Sequence, residues 1–243
     1  MQIIKLDATD STNLYLKNLM LNSRLADYAV VVADHQTLGR GQMGTTWESE
    51  KGKNLTFSIL KYYNKLHVQQ QFMLNICVSL AIFQSLEALQ IPDLKVKWPN
   101  DILSGNDKIC GVLIENILSG SKIQASIIGI GLNINQINFD NLPNVSSLKL
   151  ILGKNIALDE VLNLLILNLK KVFSQFMDGE EVALKKAYLN DLFRKDKPST
   201  FKNQSDQMFT GIIRNISTEG KLIVEIEDEI LNAYDLKEIK LLY

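Results

Sequence analysis

The spacing of apolar residues along the chain alternates between two periods. Short runs in which apolar residues are consecutive or alternate predict β-strands, and they lie at 3–6, 30–33, 55–60, 94–98 and 124–135. Longer segments in which apolar residues recur every three or four positions predict helices, and these follow Asn13 or cover 67–90, 159–177 and 181–193. We therefore predict a mixed arrangement of strands and helices.

Turn residues divide the middle of the chain into hairpins. The segments 104–107 and 119–121 separate apolar runs and predict two consecutive turns of an antiparallel sheet. The following segment, 138–155, has a loop-like composition. After 194–198 the pattern changes to short alternating runs broken by glycines, which predicts a small barrel-like module.

A glycine-rich loop follows the apolar run at 30–33. Gly39, Gly41 and Gly44 surround Arg40, and glycines allow a backbone to turn with its N–H groups directed inward, as a cradle for an anion. An arginine in this loop can add bidentate hydrogen bonds from its guanidinium to a phosphate or a carboxylate. The loop is therefore a candidate anion site.

The same loop also fits the G-x-G-x-x-G dinucleotide fingerprint, but its surroundings do not. That fingerprint requires a strand leading directly into the glycines and a helix opening after them. In this chain the segment 35–38 separates the apolar run from the first glycine, and the segment 45–52 after the glycines has no apolar pattern of helical spacing. A plain exposed hairpin connection would be shorter and would not need so many glycines beside an arginine. We predict a loop that spans two strands and closes over a ligand.

Ser11, Thr12 and Asn13 precede a helical pattern and allow two interpretations. Such residues are typical N-caps, because their side chains accept from the free amides of the first turn. Two hydroxyls and an amide exceed what one cap requires, so they are also candidates for binding a ligand at the helix start. The two interpretations are compatible.

The segment from Lys95 to Asp101 ends a predicted edge strand in a specialised turn. Two alternating lysines on such a strand are usually solvated, but Pro99 must end the strand and present Asn100 and Asp101 at its rim. Because this specialised turn follows Lys97 directly, we regard Lys97 as a candidate site residue and not as an ordinary solvated lysine. Lys108 and Gly111 follow on the next strand, and Gly129 and Gly131 lie in a buried strand, where they admit another group close to the backbone.

Composition restricts the class of protein. Lys+Arg 26 against Asp+Glu 27 gives a net charge of −1, so nothing favours nonspecific nucleic-acid binding. Cys77 and Cys110 lie in apolar patterns and are expected to be buried, reduced thiols. The N-terminus lacks a signal-peptide core, and no apolar run is expected to approach membrane-spanning length, which predicts a cytoplasmic protein. His67, at the polar start of its helix, is interpreted as a solvated or capping group.

Together and in this order, these motifs resemble the biotin protein ligase family. The matching residues are Asp10-Ser11-Thr12-Asn13, Gln36 with Gly39-Arg40-Gly41, Trp47, Lys97-Trp98-Pro99-Asn100-Asp101, Lys108-x-x-Gly111 and Gly129-x-Gly131-x-Asn133. The resemblance implies an α+β fold. A class II synthetase-like biotin/lipoate ligase catalytic domain, with a mixed and mostly antiparallel sheet, would cover 1–195, and a small SH3-like C-terminal β-barrel would cover 196–243.

The resemblance also implies a two-step reaction. Biotin's carboxylate attacks the α-phosphorus of ATP and releases pyrophosphate, and a lysine of a biotin carboxyl carrier protein then attacks the biotinyl-5′-AMP. ATP and biotin are the implied substrates, with Mg²⁺, and the implied carrier belongs to acetyl-CoA carboxylase or a related biotin-dependent enzyme. No acid–base dyad is needed, which agrees with the lack of a Ser/His/Asp or Cys/His set.

The resemblance also implies roles for individual residues of this chain, at the positions that match the family's motifs. The implied catalytic residues are Lys108, Arg40 and Lys97. The implied biotin-binding residues are Ser11, Thr12, Asn13, Gln36, Arg40, Gly41, Gln42, Lys108 and Gly111. The implied adenylate-binding residues are Gly39, Arg40, Gly41, Trp47, Lys97, Asn100, Asp101, Lys108 and Asn133. No metal ligands are assigned.

The chain departs from the family pattern at the loop and at its N-terminus. Relatives often carry further arginines where this chain has Gln42, Met43, Thr45 and Thr46, so Arg40 is expected to be the loop's sole cation. We also expect a ligase without the DNA-binding segment and repressor function of some relatives.

Two alternatives remain open at this point. One is a lipoate or octanoate ligase of the same superfamily, which is disfavoured by the KWPND and GRG matches. The other is a non-catalytic protein that binds biotin or a carrier, which is disfavoured by the retained cations. An exposed sheet edge makes a homodimer plausible.

Overall fold

A seven-stranded mixed sheet forms the larger part of the computed structural model, which describes residues 2–140 and 142–243. The strand order is β1-β2-β3-β7-β6-β5-β4. Only β1 and β2 pair in parallel among these neighbours, and the rest are antiparallel. The strands are β1 (Ile3–Leu6), β2 (Val30–Ala33), β3 (Leu55–His67), β4 (Leu94–Lys97), β5 (Asp101–Ser104), β6 (Asp107–Ser119) and β7 (Lys122–Leu132). The predicted mixed, mostly antiparallel sheet is confirmed.

Helices cover both faces of this sheet. They are α1 (Thr12–Asn22), α2 (Gln71–Ala88), α3 (Leu148–Leu152), α4 (Leu158–Met177) and α5 (Glu181–Asn190). Successive residues of a strand point to opposite faces, so Ile59 joins the core under α2 and α4 while Leu60 joins the smaller core under α1. The α1 face is therefore the thinly covered one, and the cavity described below opens on it.

Two element boundaries differ from the prediction. The α-helix predicted over 67–90 begins at Gln71, because β3 continues to His67, which pairs with Lys122 of β7, and a single 3-10 turn at 68–70, with His67 as its N-cap, leads into it. The segment 138–155, predicted as a loop, contains α3, whose N-cap Ser147 accepts from the backbone N–H of Leu150. Local composition does not reveal a helix of five residues that depends on one cap.

The segment Val68–Ala88 corrects a further expectation. It is long and apolar enough to span a membrane by composition, which differs from the expectation that no apolar run approaches that length. Buried positions make up 61% of its most apolar stretch, and its apolar side chains belong to the main core. Burial on this scale accounts for its apolar character.

A second sheet follows α5. Its strands are β8 (Pro198–Asn203), β9 (Met208–Ile216), β10 (Leu222–Glu225), β11 (Leu231–Tyr234) and β12 (Ile239–Leu242), in the order β11-β10-β9-β8-β12. Within the described ranges β11 and β12 do not pair, so the sheet is not closed, but a second antiparallel sheet at this place agrees with the predicted small C-terminal β-module. The Nε1 of Trp98 donates to the carbonyl of Gly220 at 2.8 Å, and the two sheets share one core.

Candidate active site

A cavity of about 1180 Å³ opens between the α1 face of the large sheet and the C-terminal sheet. Segments far apart in sequence line it: the start of α1, the glycine loop, the turn between β4 and β5, and the central strands β6 and β7. Every predicted site residue lines this cavity except Gly39 and Asn133. The amide of Asn133 instead donates to the carbonyl of Ser146 at 3.0 Å.

A buried polar chain forms one end of the cavity. The backbone N–H and the hydroxyl of Thr12 donate to Oε1 of Gln36 at 2.8 and 3.0 Å. The Ser58 hydroxyl lies 2.7 Å from Oγ1 of Thr12 and 2.6 Å from Oδ1 of Asn13. Ser11 occupies the N-cap position of α1, yet its side chain makes no capping hydrogen bond. Capping therefore does not account for this cluster of polar residues.

Glu115 connects this polar end to the glycine loop. Its Oε2 accepts from Nδ2 of Asn13 at 2.7 Å and from the guanidinium of Arg40 at 3.1 Å. Both members of the Glu115–Arg40 pair are partly exposed, at 32% and 46%, so the pair is weak by itself. Its importance is geometric, because one carboxylate positions both the amide and the cation.

Sequence reasoning missed Ser58 and Glu115, although the alternation of side chains along a strand indicates which face of the sheet each one occupies. Ser58 lies between Phe57 and Ile59 of β3, which point into the main core, so it must face the other side of the sheet. Glu115 lies four residues after Gly111 on β6 and therefore shares the cavity face. Counting alternate positions from Gly111 would have found it.

The glycine loop is a tight hairpin. The N–H of Gly41 donates to the carbonyl of Thr45 at 2.7 Å, and the N–H of Trp47 donates to the carbonyl of Gly39 at 3.0 Å. The Gly41 N–H therefore bonds within the hairpin, which removes this one donor from the predicted anion cradle. A Cβ on Gly39 would collide with the Trp47 carbonyl. Close approach of the two loop arms thus explains the need for glycine at Gly39.

The loop lies between two antiparallel strands, β2 and β3. No helix of the dinucleotide type opens after its glycines, since only a single turn at Gln42–Gly44 is present in this described stretch. The predicted departure from the dinucleotide fingerprint is confirmed.

The two glycines of β7 each accommodate a neighbouring side chain. A Cβ on Gly131 would collide with the Trp47 indole, and one on Gly129 would lie 2.5 Å from Oδ1 of Asn13. The predicted close approach at this strand is thereby confirmed, and the approaching groups are an indole and an amide. Nε1 of Trp47 is buried without a hydrogen-bond partner.

Two lysines and one aspartate form the other end of the cavity. Nζ of Lys108 lies 2.7 Å from the Asp101 carboxylate, and Nζ of Lys97 lies 3.9 Å from it. The turn that carries Asp101 is fixed by Asn100, whose amide donates to the Val112 carbonyl at 2.5 Å. Because one carboxylate faces two ammonium groups, the local charge is positive.

Metal-binding side chains and cysteine thiols decide which kinds of chemistry the site could perform. Among residues 2–140 and 142–243, no group of three His, Cys, Asp or Glu side chains could hold a metal ion. Cys77 and Cys110 are free and buried, as predicted, and burial raises the pKa of each thiol well above its usual range. The cavity therefore offers cations, the Asp101 carboxylate between two of them and neutral hydrogen-bonding groups, while neither cysteine supplies a thiolate nucleophile.

Comparisons with known proteins agree with this geometry. The model of the Biotin/lipoate A/B protein ligase family matches residues 6–133. A bifunctional ligase/repressor BirA of Bacillus spizizenii is 28% identical over 223 residues, which are 88% of this chain and 67% of that protein. A biotin--[acetyl-CoA-carboxylase] ligase of Paracoccus denitrificans is 34% identical over 128 residues, 52% of each chain.

Solved structures show the same fold. A biotin protein ligase from Aquifex aeolicus, determined in complex with biotin and ATP, superposes with a TM-score of 0.81 at 25% identity. The match covers 99% of this chain and 98% of that one. The similarity therefore extends through the C-terminal sheet.

Proposed function

The chain belongs to the biotin/lipoate A/B protein ligase family, and we propose that it attaches biotin to a lysine of a carrier protein in an ATP-dependent reaction through biotinyl-5′-AMP. The relatives named as biotin ligases and the ligase structure with biotin and ATP support this assignment over lipoate or octanoate ligation. A further proposal places the boundary between catalytic and C-terminal domains at residues 195 and 196.

The arrangement of positive charge carries the proposal. A carboxylate that attacks a triphosphate brings two anions together, so fixed cations must offset their repulsion. Lys97 and Lys108 converge on one end of the cavity, and Arg40 lies on the loop that borders it. A protein that only binds biotin would have no need for these three cations.

The polar end of the cavity suits the neutral head group of biotin. We assign Ser11, Thr12, Asn13 and Gln36 to that head group, with Gly41, Gln42 and Gly111 beside it. Thr12 and Asn13 are each 3% exposed, so their hydrogen bonds to a ligand would form in a site of low dielectric, where they are strong. The apolar tail of the ligand would lie along the glycine-lined face of β6 and β7.

The other end suits the adenylate. We assign Lys108 to the biotin carboxylate and the α-phosphate, and Lys97, Asn100 and Asp101 to the phosphate region. Trp47 and the loop residues Gly39, Arg40 and Gly41 would cover the nucleotide, with Asn133 toward the adenine. A covering loop would exclude water, to which a mixed anhydride is sensitive.

Magnesium would enter with the nucleotide. Mg²⁺ is usually held by substrate phosphates and one or two carboxylates. Asp101, the carboxylate between Lys97 and Lys108, is already paired with both lysines, so the phosphates would hold most of the ion. The ion would supply further neutralisation of phosphate charge. The protein's own part is to orient the two anions with Lys97, Lys108 and Arg40.

We further propose the partners of the reaction. The carrier would be the biotin carboxyl carrier domain of acetyl-CoA carboxylase or a related enzyme, since relatives are named for that activity. We also propose action in the cytoplasm without nucleic acid or membrane; the net charge of −1 agrees with the part of this that concerns nucleic acid. The β1 edge of the large sheet, with Ile3 37% exposed, could support a strand-to-strand homodimer.

Exchange of labelled pyrophosphate into ATP tests the assignment. We expect exchange that depends on biotin and that lipoate or octanoate does not support, followed by addition of one biotin mass to a purified carrier domain. Exchange driven by lipoate alone would assign the chain to the other branch of the family. Binding of biotin without any exchange would identify a non-catalytic protein.

A further inference from the structure

Tyr243 brings the C-terminal sheet into contact with a predicted catalytic residue. It follows β12, and the centroid of its ring lies 4.7 Å from Nζ of Lys97. At this distance the electron-rich face of an aromatic ring attracts an ammonium group. The contact therefore joins the C-terminal sheet to the phosphate end of the cavity.

Lys97 has few other interactions to hold it. The Asp101 carboxylate is 3.9 Å from its Nζ, whereas the same carboxylate lies 2.7 Å from Lys108. A lysine carries its charge on a flexible stem, and ordering that stem costs rotamer entropy. The ring of Tyr243 is thus the surface that restricts where this ammonium can lie.

Tyr243 is itself fixed from two directions. Its ring packs edge-on against Phe193, with 5.1 Å between centroids. Its main-chain oxygen accepts from the Asn144 amide at 3.2 Å, and the Asn144 carbonyl accepts from the backbone N–H of Lys108 at 2.7 Å. The same segment that supports Lys108 therefore holds the residue that covers Lys97.

A second contact binds the C-terminal sheet to the residue beside Lys97. Nε1 of Trp98 donates to the Gly220 carbonyl at 2.8 Å. Two consecutive residues of the KWPND motif thus contact the C-terminal sheet through different groups.

We propose that Tyr243 is a positioning residue that holds the Lys97 ammonium at the phosphate end of the cavity. Through it, the C-terminal sheet supports formation of the adenylate by fixing Lys97. This inference rests on the proposed function, because it gives Lys97 its role toward phosphate. A cation held in place before the reaction needs little reorganisation during it.

Substitution by aromatic rings of opposite polarity tests this directly. Tyr243→Phe keeps an electron-rich ring, whereas replacement by pentafluorophenylalanine keeps the ring's shape and reverses its quadrupole. We expect the phenylalanine variant to match the wild type in kcat/KM for ATP in the exchange reaction, and the fluorinated variant to lose about two- to fivefold. Tyr243→Ala should lose at least as much.

Tyr234 offers a matched control in the same sheet. Its ring packs on Phe209, with 5.8 Å between centroids, so the same pair of substitutions there should leave kcat/KM for ATP unchanged. Biotin affinity measured by calorimetry without nucleotide should stay constant in all variants.

The outcomes separate this inference from the proposed function. Equal kcat/KM values for the phenylalanine and pentafluorophenylalanine variants at position 243 would overturn the role of Tyr243 while leaving biotin ligation intact. Failure of the wild type to catalyse biotin-dependent exchange would overturn the proposed function itself, and this inference with it.

Discussion

Lys108 and Asp101 form an ion pair of 2.7 Å at the phosphate end of the cavity. Both side chains are partly shielded, at 30% and 16% exposure. The carboxylate orients the ammonium before any ligand arrives, and three N–H donors on Lys108 leave capacity for a second anion. Under the proposed function, this pair would hold the cation where the carboxylate of biotin and the α-phosphate of ATP meet.

Removal of the Lys108 charge should abolish most of the activity. Lys108→Gln keeps much of the stem, and we expect kcat/KM for pyrophosphate exchange to fall by about 100-fold or more, the loss typical of one transition-state donor. Lys95→Gln is the matched control, because Lys95 lies two residues before Lys97, pairs with Asp191 at 3.7 Å and does not line the cavity. Equal activities of the two variants would contradict the role of Lys108.

Loss of Arg40 should release the intermediate. In Arg40→Ala the loop retains its hairpin but lacks its cation, so we expect biotinyl-5′-AMP to dissociate faster because a charge-assisted contact is missing. The dissociation rate can be followed by trapping free adenylate after rapid dilution. Lys51→Ala removes a cation outside the cavity and should leave the rate unchanged; an unaltered rate in Arg40→Ala would refute this role.

A methyl group at Gly131 should displace the Trp47 indole. The added Cβ meets the ring directly, so we expect KM for ATP to rise in Gly131→Ala while biotin affinity is largely kept. In a Trp47→Ala background the same substitution should have little further effect, since the colliding ring is gone. Additive losses in the double variant would show that Trp47 is not the group affected.

Ser58 and Ser126 provide a matched pair of fully buried serines. Ser58 bonds to Thr12 and Asn13 in the polar end of the cavity, and Ser126 donates to Oδ1 of Asn116 at 2.6 Å outside it. Each serine-to-alanine change should lower the free energy of unfolding by about 1–3 kcal/mol. Only Ser58→Ala should weaken biotin binding, as titration calorimetry would show; equal affinities would separate Ser58 from the site.

Buried thiols should make the fold less stable in alkali. Burial raises the pKa of Cys77 and Cys110 above the usual value of 9.0, so above pH 9 the unfolded chain loses protons that the folded chain retains. Stability must then fall as pH rises, by at most about 1.4 kcal/mol per pH unit for each thiol. Urea midpoints at pH 8, 9 and 10 in wild type and Cys110→Ser test this, and a midpoint that rises with pH would contradict it.

The positions of the strands were predictable because apolar residues in a strand are consecutive or alternate with a period of two. Apolar alternation and glycine-containing turns located the hairpins from Asp101 to Leu132, and the KWPND and K-x-x-G motifs lie in the turn and strand expected of them. The same reasoning placed Cys77 and Cys110 in the core. In these cases the determinants are local in sequence.

Features that depend on distant partners were not predictable in this way. His67 is the N-cap of the helical turn 68–70 that leads into α2, as its interpretation as a capping group predicted, but it also ends β3, because Lys122 of β7 pairs with it. The Gly41 N–H is occupied by the facing arm of its own hairpin, and the open C-terminal sheet reflects pairings between strands. Glu115 meets Asn13 and Arg40, and Tyr243 meets Lys97, only after folding brings β6 and the end of β12 to them.

A crystal structure with biotin and a non-hydrolysable ATP analogue tests the central claim most directly. The account predicts that the biotin carboxylate and the α-phosphate lie side by side, in contact with Lys108 and covered by the Arg40 loop, with Lys97 at the phosphates. Both ligands bound elsewhere, with the three cations directed into bulk solvent, would contradict it.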